Sequence, residues 1–192
     1  MTAAALASFP GGPDISRATA FDMAVAIVLF HEGGLADNKA DPGGITHWGI
    51  SLRYARALGA ALADVDHDGD VDAEDIRALP RDQAVALYRR DWWDRYGYGD
   101  LPAWAGWKVF DLAVNMGPKA AHKCLQQALV DKGASLPVDG LLGPRTLAAA
   151  GAAPVETAQR LREAAWDSYG GRIAANPQLA VFAKGWKARA FF

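Results

Sequence analysis

The feature that most limits how this chain can fold is an abrupt change of character around residue 32. Phe21 to Phe30 is almost wholly apolar, and Phe21, Val25, Val28 and Leu29 recur at helical spacing. Most of the remaining positions in that run are apolar too, so this helix is expected to be buried on most sides. Thr19-Ala20-Phe21-Asp22 has the form of a capping box at its start. The run delivers one acid, Glu32, and then meets Gly33-Gly34, a pair that breaks helices and admits positive φ. A stretch rich in Gly, Asp and Asn follows, up to Thr46-His47-Trp48-Gly49-Ile50-Ser51. The pattern predicts a buried helix, an irregular hairpin and a return to helix capped by Ser51.

The rest of the chain reads as helices in series. The Ser51 helix is expected to reach about Ala61, with Leu52, Ala55, Leu58 and Leu62 along one side. Pro80 and Arg81 open another to about Tyr96, its apolar stripe built from Ala84, Leu87 and Tyr88. Tyr96-Gly97-Tyr98-Gly99 reads as a turn. Leu101-Pro102 starts a helix to about Asn115, on which Asp111 and Asn115 stand four apart and share a face. Lys119 to Val130 is helical, Pro144 suits a first helical position, and two last helices are expected over Pro154–Ala175 and Gln178–Phe192. The expected organisation is a loose arm over 1–18, a portion over 19–100, and a helical portion over 101–192 packed on it.

Between the second and third helices lies Asp64-Val65-Asp66-His67-Asp68-Gly69-Asp70-Val71-Asp72-Ala73-Glu74-Asp75. Against a twelve-residue calcium loop, acids fall at positions one, three, five, nine and twelve, glycine at six and an apolar residue at eight. The departure is Asp75, where such loops usually carry Glu. Asp64, Asp66, Asp68, Asp70 and Asp75 are the candidate ligands of a structural Ca2+, within an insertion over 64–75. So many acids would repel one another without a cation. The alternative is a solvated acidic turn.

Composition sets limits on function. The 192 residues carry a net charge of −2, with no basic footprint for nucleic acid. A single cysteine, Cys124, excludes an internal disulfide framework and reads as a small buried side chain. No apolar run reaches the ~18 residues of a membrane span. Residues 1–20 lack the basic start and apolar centre of a signal peptide.

E-G-G at Glu32–Gly34, followed by D-P-G-G-x-T-x-x-G-I at Asp41–Ile50, resembles the glycoside hydrolase family 108 N-acetylmuramidases, known as phage endolysins and bacterial secretion activators. The order Glu32, Asp41, Thr46 is also similar to the Glu, Asp, Thr series of phage-type lysozymes, which have one more residue between Asp and Thr. F-D-x-A-V-N-x-G at Phe110–Gly117 and F-x-x-G-W-x-x-R at Phe182–Arg189 resemble later motifs of the same family. Leu125-Gln126 with V-D-G and G-P-x-T at Val138–Thr146 looks like a peptidoglycan-binding repeat, or makes only a buried turn between helices. The resemblance covers about residues 21–192. It implies a mainly α, lysozyme-like fold, with Glu32 as the family's acid and peptidoglycan glycan strands as substrate.

The chemistry agrees with that implication. Hydrolysis of a β-1,4 glycosidic bond needs an acid to protonate the leaving oxygen, usually with a second carboxylate. An acid working at neutral pH must keep its proton, which burial favours; Glu32 ends the most apolar helix of the chain. Asp41 is the first candidate for the second role and Asp37 the other, although Asp41 before Pro42 is also a turn-former. Thr46 is placed to position water. Asp37, His47, Trp48, Trp93 and Asn115 are candidate substrate contacts, with Trp92 and Asp111 as alternatives. His31 and His47 flank the site without a zinc spacing, so no catalytic cofactor is expected. Three activities remain open: a muramidase, a lytic transglycosylase, and a non-catalytic wall-binding or export factor. A monomer is expected, acting in the periplasm or cell wall. A holin, a secretion apparatus or lysis would have to deliver it. The low charge argues against simple electrostatic capture by an anionic wall.

Overall fold

The computed structural model describes residues 19–37 and 44–192. The arm expected over 1–18 and the candidate Asp41 lie outside the described residues. Contact density divides the chain into two units, Ile27–Arg89 and the described residues up to Ala26 together with Arg90–Phe192.

Helix α1 spans Ala20–Glu32. The Thr19 amide donates to Asp22 Oδ2 at 2.9 Å and the Asp22 amide to Thr19 Oγ1 at 3.2 Å, so the capping box forms as read. At the other end Gly33 takes φ +74 and its amide returns to the Leu29 carbonyl, a left-handed stop that needs no side chain. Phe21, Ala24, Val25, Ile27, Val28 and Leu29 are all buried, while Phe30 is exposed.

Within Ile27–Arg89, strands β1 (Thr46–His47) and β2 (Ile50–Ser51) form an antiparallel hairpin with Thr46 opposite Ser51 and His47 opposite Ile50. Ser51 Oγ then caps α2 (Leu52–Leu58) by accepting the Tyr54 amide. The helix expected to reach Ala61 stops three residues earlier, because Gly59 turns to φ +80. A four-residue turn of helix, α3 (Ala60–Ala63), follows, and Leu62 is exposed rather than part of an apolar stripe. The acidic loop leads into α4 (Ala73–Ala78), capped by Asp72 with Asp75 returning the capping box. Helix α5 (Arg81–Tyr88) buries Ala84, Leu87 and Tyr88 as expected and runs on into a π-helical turn, Arg89–Asp94.

In the other unit the chain turns at Gly97 (φ +67) into a short 3-10 turn, Tyr98–Asp100. Helices α6 (Ala103–Met116), α7 (Pro118–Asp131), α8 (Pro144–Ala152), α9 (Thr157–Ala175) and α10 (Ala183–Phe191) follow, with a 3-10 turn over Pro177–Phe182 ahead of the last. Its core is α7 packed against α6 and α9. Val109, Phe110, Leu112, Leu125, Leu129, Leu161 and Tyr169 are fully buried there, with alanines and the small Cys124 between them.

Candidate active site

The hairpin turn is built from two residues that both take positive φ, Trp48 at +53 and Gly49 at +78. Such two-residue turns match the twist of antiparallel strands. A tryptophan in that conformation is strained, and three contacts hold it. Its Nε1 donates to the Leu79 carbonyl at 3.2 Å, its ring stacks on His47 at 4.8 Å, and its carbonyl accepts from the Tyr88 hydroxyl at 3.1 Å. His47 is tied in turn to the Ile76 carbonyl at 3.0 Å through Nδ1. A carbonyl only accepts, so Nδ1 carries the proton. Both rings of the hairpin are therefore moored to the backbone in and just after α4.

Glu32 lies against this turn. A Cβ placed on Gly49 would stand 2.8 Å from Glu32 Cγ, 3.0 Å from its Cβ, and 2.2 Å from the Tyr88 hydroxyl. No side chain fits between the hairpin backbone and the acid, which is why the motif needs glycine here. Glu32 is half-buried, and Gly33 to Asp37 beyond it are exposed. The hairpin's third edge is Ala36, which exchanges two backbone bonds of 2.8 Å with Thr46. Thr46 Oγ1 donates to the Gly44 carbonyl at 3.3 Å. Asp37 pairs with Arg77 of α4 at 3.0 Å, and the same guanidinium holds Glu74 at 2.6 Å. Tyr88 was legible only as a stripe residue, yet it is the group that fixes the turn. The available signal was that a buried tyrosine needs a partner for its hydroxyl.

Three candidates fall in the unit that includes Arg90–Phe192. Trp93 is 7% exposed and sits edge-on to Phe21 and Phe110 at 5.6 and 5.5 Å. It was expected as a sugar platform; the structure instead packs its ring in the core. Asp111 is fully buried, within 3.5 Å of Lys108 and 3.7 Å of Arg189, and does not share the exposure of Asn115. Asn115 is exposed on α6 and its Oδ1 accepts from Tyr169 of α9 at 2.8 Å.

In the acidic loop, Asp64, Asp66 and Asp68 bring carboxylate oxygens within 4.8 Å of one another, as do Asp70, Asp72 and Asp75. Asp64 Oδ2 accepts the Gly69 amide, Asp66 Oδ1 the Asp68 amide and Asp68 Oδ1 the Asp70 amide, at 3.1 to 3.3 Å. Desolvation raises the Asp66 pKa, and Asp68 does the same to Asp70. Burial pushes Asp75 up too, but amides from Asp72, Val65 and Asp66 outweigh it and hold that carboxyl below its ordinary range. Asp64 Oδ1 is buried without a hydrogen-bond partner.

The Gln126 motif forms a polar hub. Gln126 Oε1 accepts the Gly140 amide at 2.7 Å, while Nε2 donates to Asp139, the Leu141 carbonyl and Thr146 at 2.9 to 3.2 Å. His122 adds a second tie. Its Nδ1 donates to the Gly140 carbonyl at 3.0 Å, so Nε2 accepts from the Tyr98 hydroxyl, also at 3.0 Å. Desolvation lowers the His122 pKa, which keeps the ring in this neutral form.

The comparisons with known proteins fall on this geometry. Residues 25–117 match the family described as glycosyl hydrolase 108, and residues 120–191 match one described as a predicted peptidoglycan domain. Residues 25–117 are thus similar to a family of glycoside hydrolases, and a region similar to a peptidoglycan-directed domain follows them. The chain is similar to the solved structure of Brucella abortus SagA, at 29% identity over 88% of each chain with a TM-score of 0.66. The mainly α, lysozyme-like fold follows. No curated protein matches. No helix among the described residues is long and apolar enough to cross a membrane.

Proposed function

We propose that this chain is an N-acetylmuramidase that cuts the β-1,4 bond between N-acetylmuramic acid and N-acetylglucosamine in peptidoglycan, for lysis or remodelling of the wall. The observation that carries the reading is Glu32. It is the acid of the E-G-G stretch inside residues 25–117, at the end of a buried helix, with its stem against the hairpin turn at Gly49. Glu32 protonates the leaving oxygen. Asp41 supplies the second carboxylate and Thr46 orients water. Asp37, His47 and Trp48, fixed by α4, line the bound glycan. Replacing a general acid typically costs about 10²–10⁴-fold.

The test is mass spectrometry of muropeptides released from purified peptidoglycan by wild type and Glu32→Gln. Reducing N-acetylmuramic acid ends from wild type alone are expected. Anhydro ends would make it a transglycosylase. A folded Glu32→Gln that stays fully lytic would overturn the assignment of the acid.

We also propose that the acidic loop holds a structural calcium ion. Asp64, Asp66, Asp68, Asp70 and Asp75 would supply oxygens, the ligand chemistry calcium takes. The orphaned Asp64 Oδ1 fits that role, and the carboxylates already bonded to amides keep further lone pairs. When bound, the ion supplies charge neutralisation. The loop's own contribution is to place α4, from which His47 and Trp48 are held.

A further inference from the structure

The second unit contains a groove of about 570 Å³ with a distinct chemistry, a volume in the range of small-ligand sites. Arg95 and Tyr96 form one wall, Lys119 another, and Leu141 and Leu142 a third. The Arg95 guanidinium lies 5.7 Å from the centre of the Tyr96 ring. Among the described residues neither Arg95 nor Lys119 has a carboxylate partner. Asp139 lines the groove as well; its Oδ1 accepts from the Leu141 amide at 2.8 Å and from Gln126, bonds that keep the carboxylate ionised, so the groove holds one anion beside its two cations.

The groove is also rigidly made. Tyr98, His122 and Gly140 are joined through both nitrogens of the His122 ring, and His122 itself lies in the groove wall. Tyr96 packs edge-on to that ring at 5.6 Å. A Cβ on Gly140 would come within 2.7 Å of the Lys119 backbone, so the turn sits directly on the start of α7. The motif's polar residues, Gln126, Asp139 and Thr146, bond to one another and to the turn. The two residues between its glycines, Leu141 and Leu142, are the ones turned to the groove. Leu141 is 68% exposed.

From this we infer that the groove binds the stem peptide of peptidoglycan through its free carboxylates, with Arg95 and Lys119 as anion partners and Tyr96, Leu141 and Leu142 against its methyl and methylene groups. The inference rests on the peptidoglycan reading above and deepens it. A glycan strand would instead call for acceptors and amides facing its hydroxyls. The stem peptide is short and made of small apolar and acidic residues with one diamino acid, so it offers carboxylates at intervals and one ammonium beside alkyl surface, the ammonium matching Asp139. That is the complement of two free cations set among an aromatic ring and two leucines.

The test is an NMR titration of the whole chain with the soluble tetrapeptide L-Ala-γ-D-Glu-meso-diaminopimelate-D-Ala. Saturable shifts are expected at Tyr96, Lys119, Leu141 and Leu142. Arg95→Gln with Lys119→Gln should weaken binding by about tenfold or more, and a peptide with amidated carboxylates should bind wild type as weakly. Unchanged affinity in the folded double variant, shifts confined to other residues, or equal binding of the amidated peptide would overturn the inference. Hydrolysis of peptide-free glycan strands by the double variant separates the two readings. It stays at the wild-type level if only stem-peptide capture is lost, and is absent in both proteins if the muramidase reading is wrong.

Discussion

The Tyr88 hydroxyl donates to the Trp48 carbonyl at 3.1 Å, across forty residues of sequence. That bond closes the turn that carries Gly49 against Glu32. Gly49→Ala would insert a methyl between the phenol and the acid at a φ of +78. Strain of this kind costs on the order of 1–3 kcal/mol. We expect a lower melting temperature and a fall in glycan hydrolysis larger than the stability loss explains. Tyr88→Phe alone leaves the Trp48 carbonyl unmet, at about 1–3 kcal/mol. Combined with Gly49→Ala it relieves the worst contact, so the two costs should add to less than their sum. A double-mutant cycle on thermal unfolding reads this directly.

Calcium should raise the melting temperature and excess EGTA should reverse the rise, because a ligand of the folded state alone stabilises it, by about 2.7 kcal/mol at a hundred times Kd. Asp64→Ala should abolish the response. A wild-type melt that EGTA does not move would remove the ion from the account.

Lys108 is 2% exposed, and desolvation outweighs Asp111 to bring its pKa down to about 8. A lysine depressed in the folded state binds fewer protons there than in the unfolded chain. Its penalty is full below pH 8 and fades as pH rises towards 10.5. Over that window wild type should gain roughly 3 kcal/mol relative to Lys108→Met. Comparing the two proteins cancels the opposing effect of Cys124, whose thiol burial pushes up to about 11. Urea midpoints at pH 7.5, 9 and 10.5 test it; a constant gap between the proteins would refute it.

Gln126→Leu keeps the volume of the hub and removes its bonds. The buried Gly140 amide then has no acceptor, which costs about 1–3 kcal/mol. Faster hydrogen exchange at Gly140 and Leu141, with α7 unchanged, would mark the loss as local.

How much of this was legible follows from how far each determinant lies along the chain. The Thr19–Asp22 box, the Gly33 stop, the Ser51 cap and Pro144 at a first helical position are local, and each forms as read. The Ser51 helix was overrun because Leu-Gly-Ala-Ala-Leu keeps an apolar look through Gly59, where the backbone turns left-handed. Glu32 and the acidic loop stood out because an acid ending an apolar helix, and acids crowded into one turn where they repel one another, are visible in the residue order itself. Trp93, Asp111 and Tyr88 were misplaced or missed for the opposite reason. Whether a ring is core or platform, or a carboxylate is cleft or buried pair, is decided by partners far along the chain. The hub around Gln126 combines both cases: its motif was visible, while its division into turn-holding polar residues and groove-facing leucines needed coordinates.

The lone Cys124 has a consequence for where folding can occur. Its thiol is buried among α7 and α9 and has no second cysteine to meet within these 192 residues. No covalent cross-link of the chain to itself therefore depends on the redox potential around it. Reducing and oxidising compartments should yield the same fold, because no disulfide within these residues contributes to it.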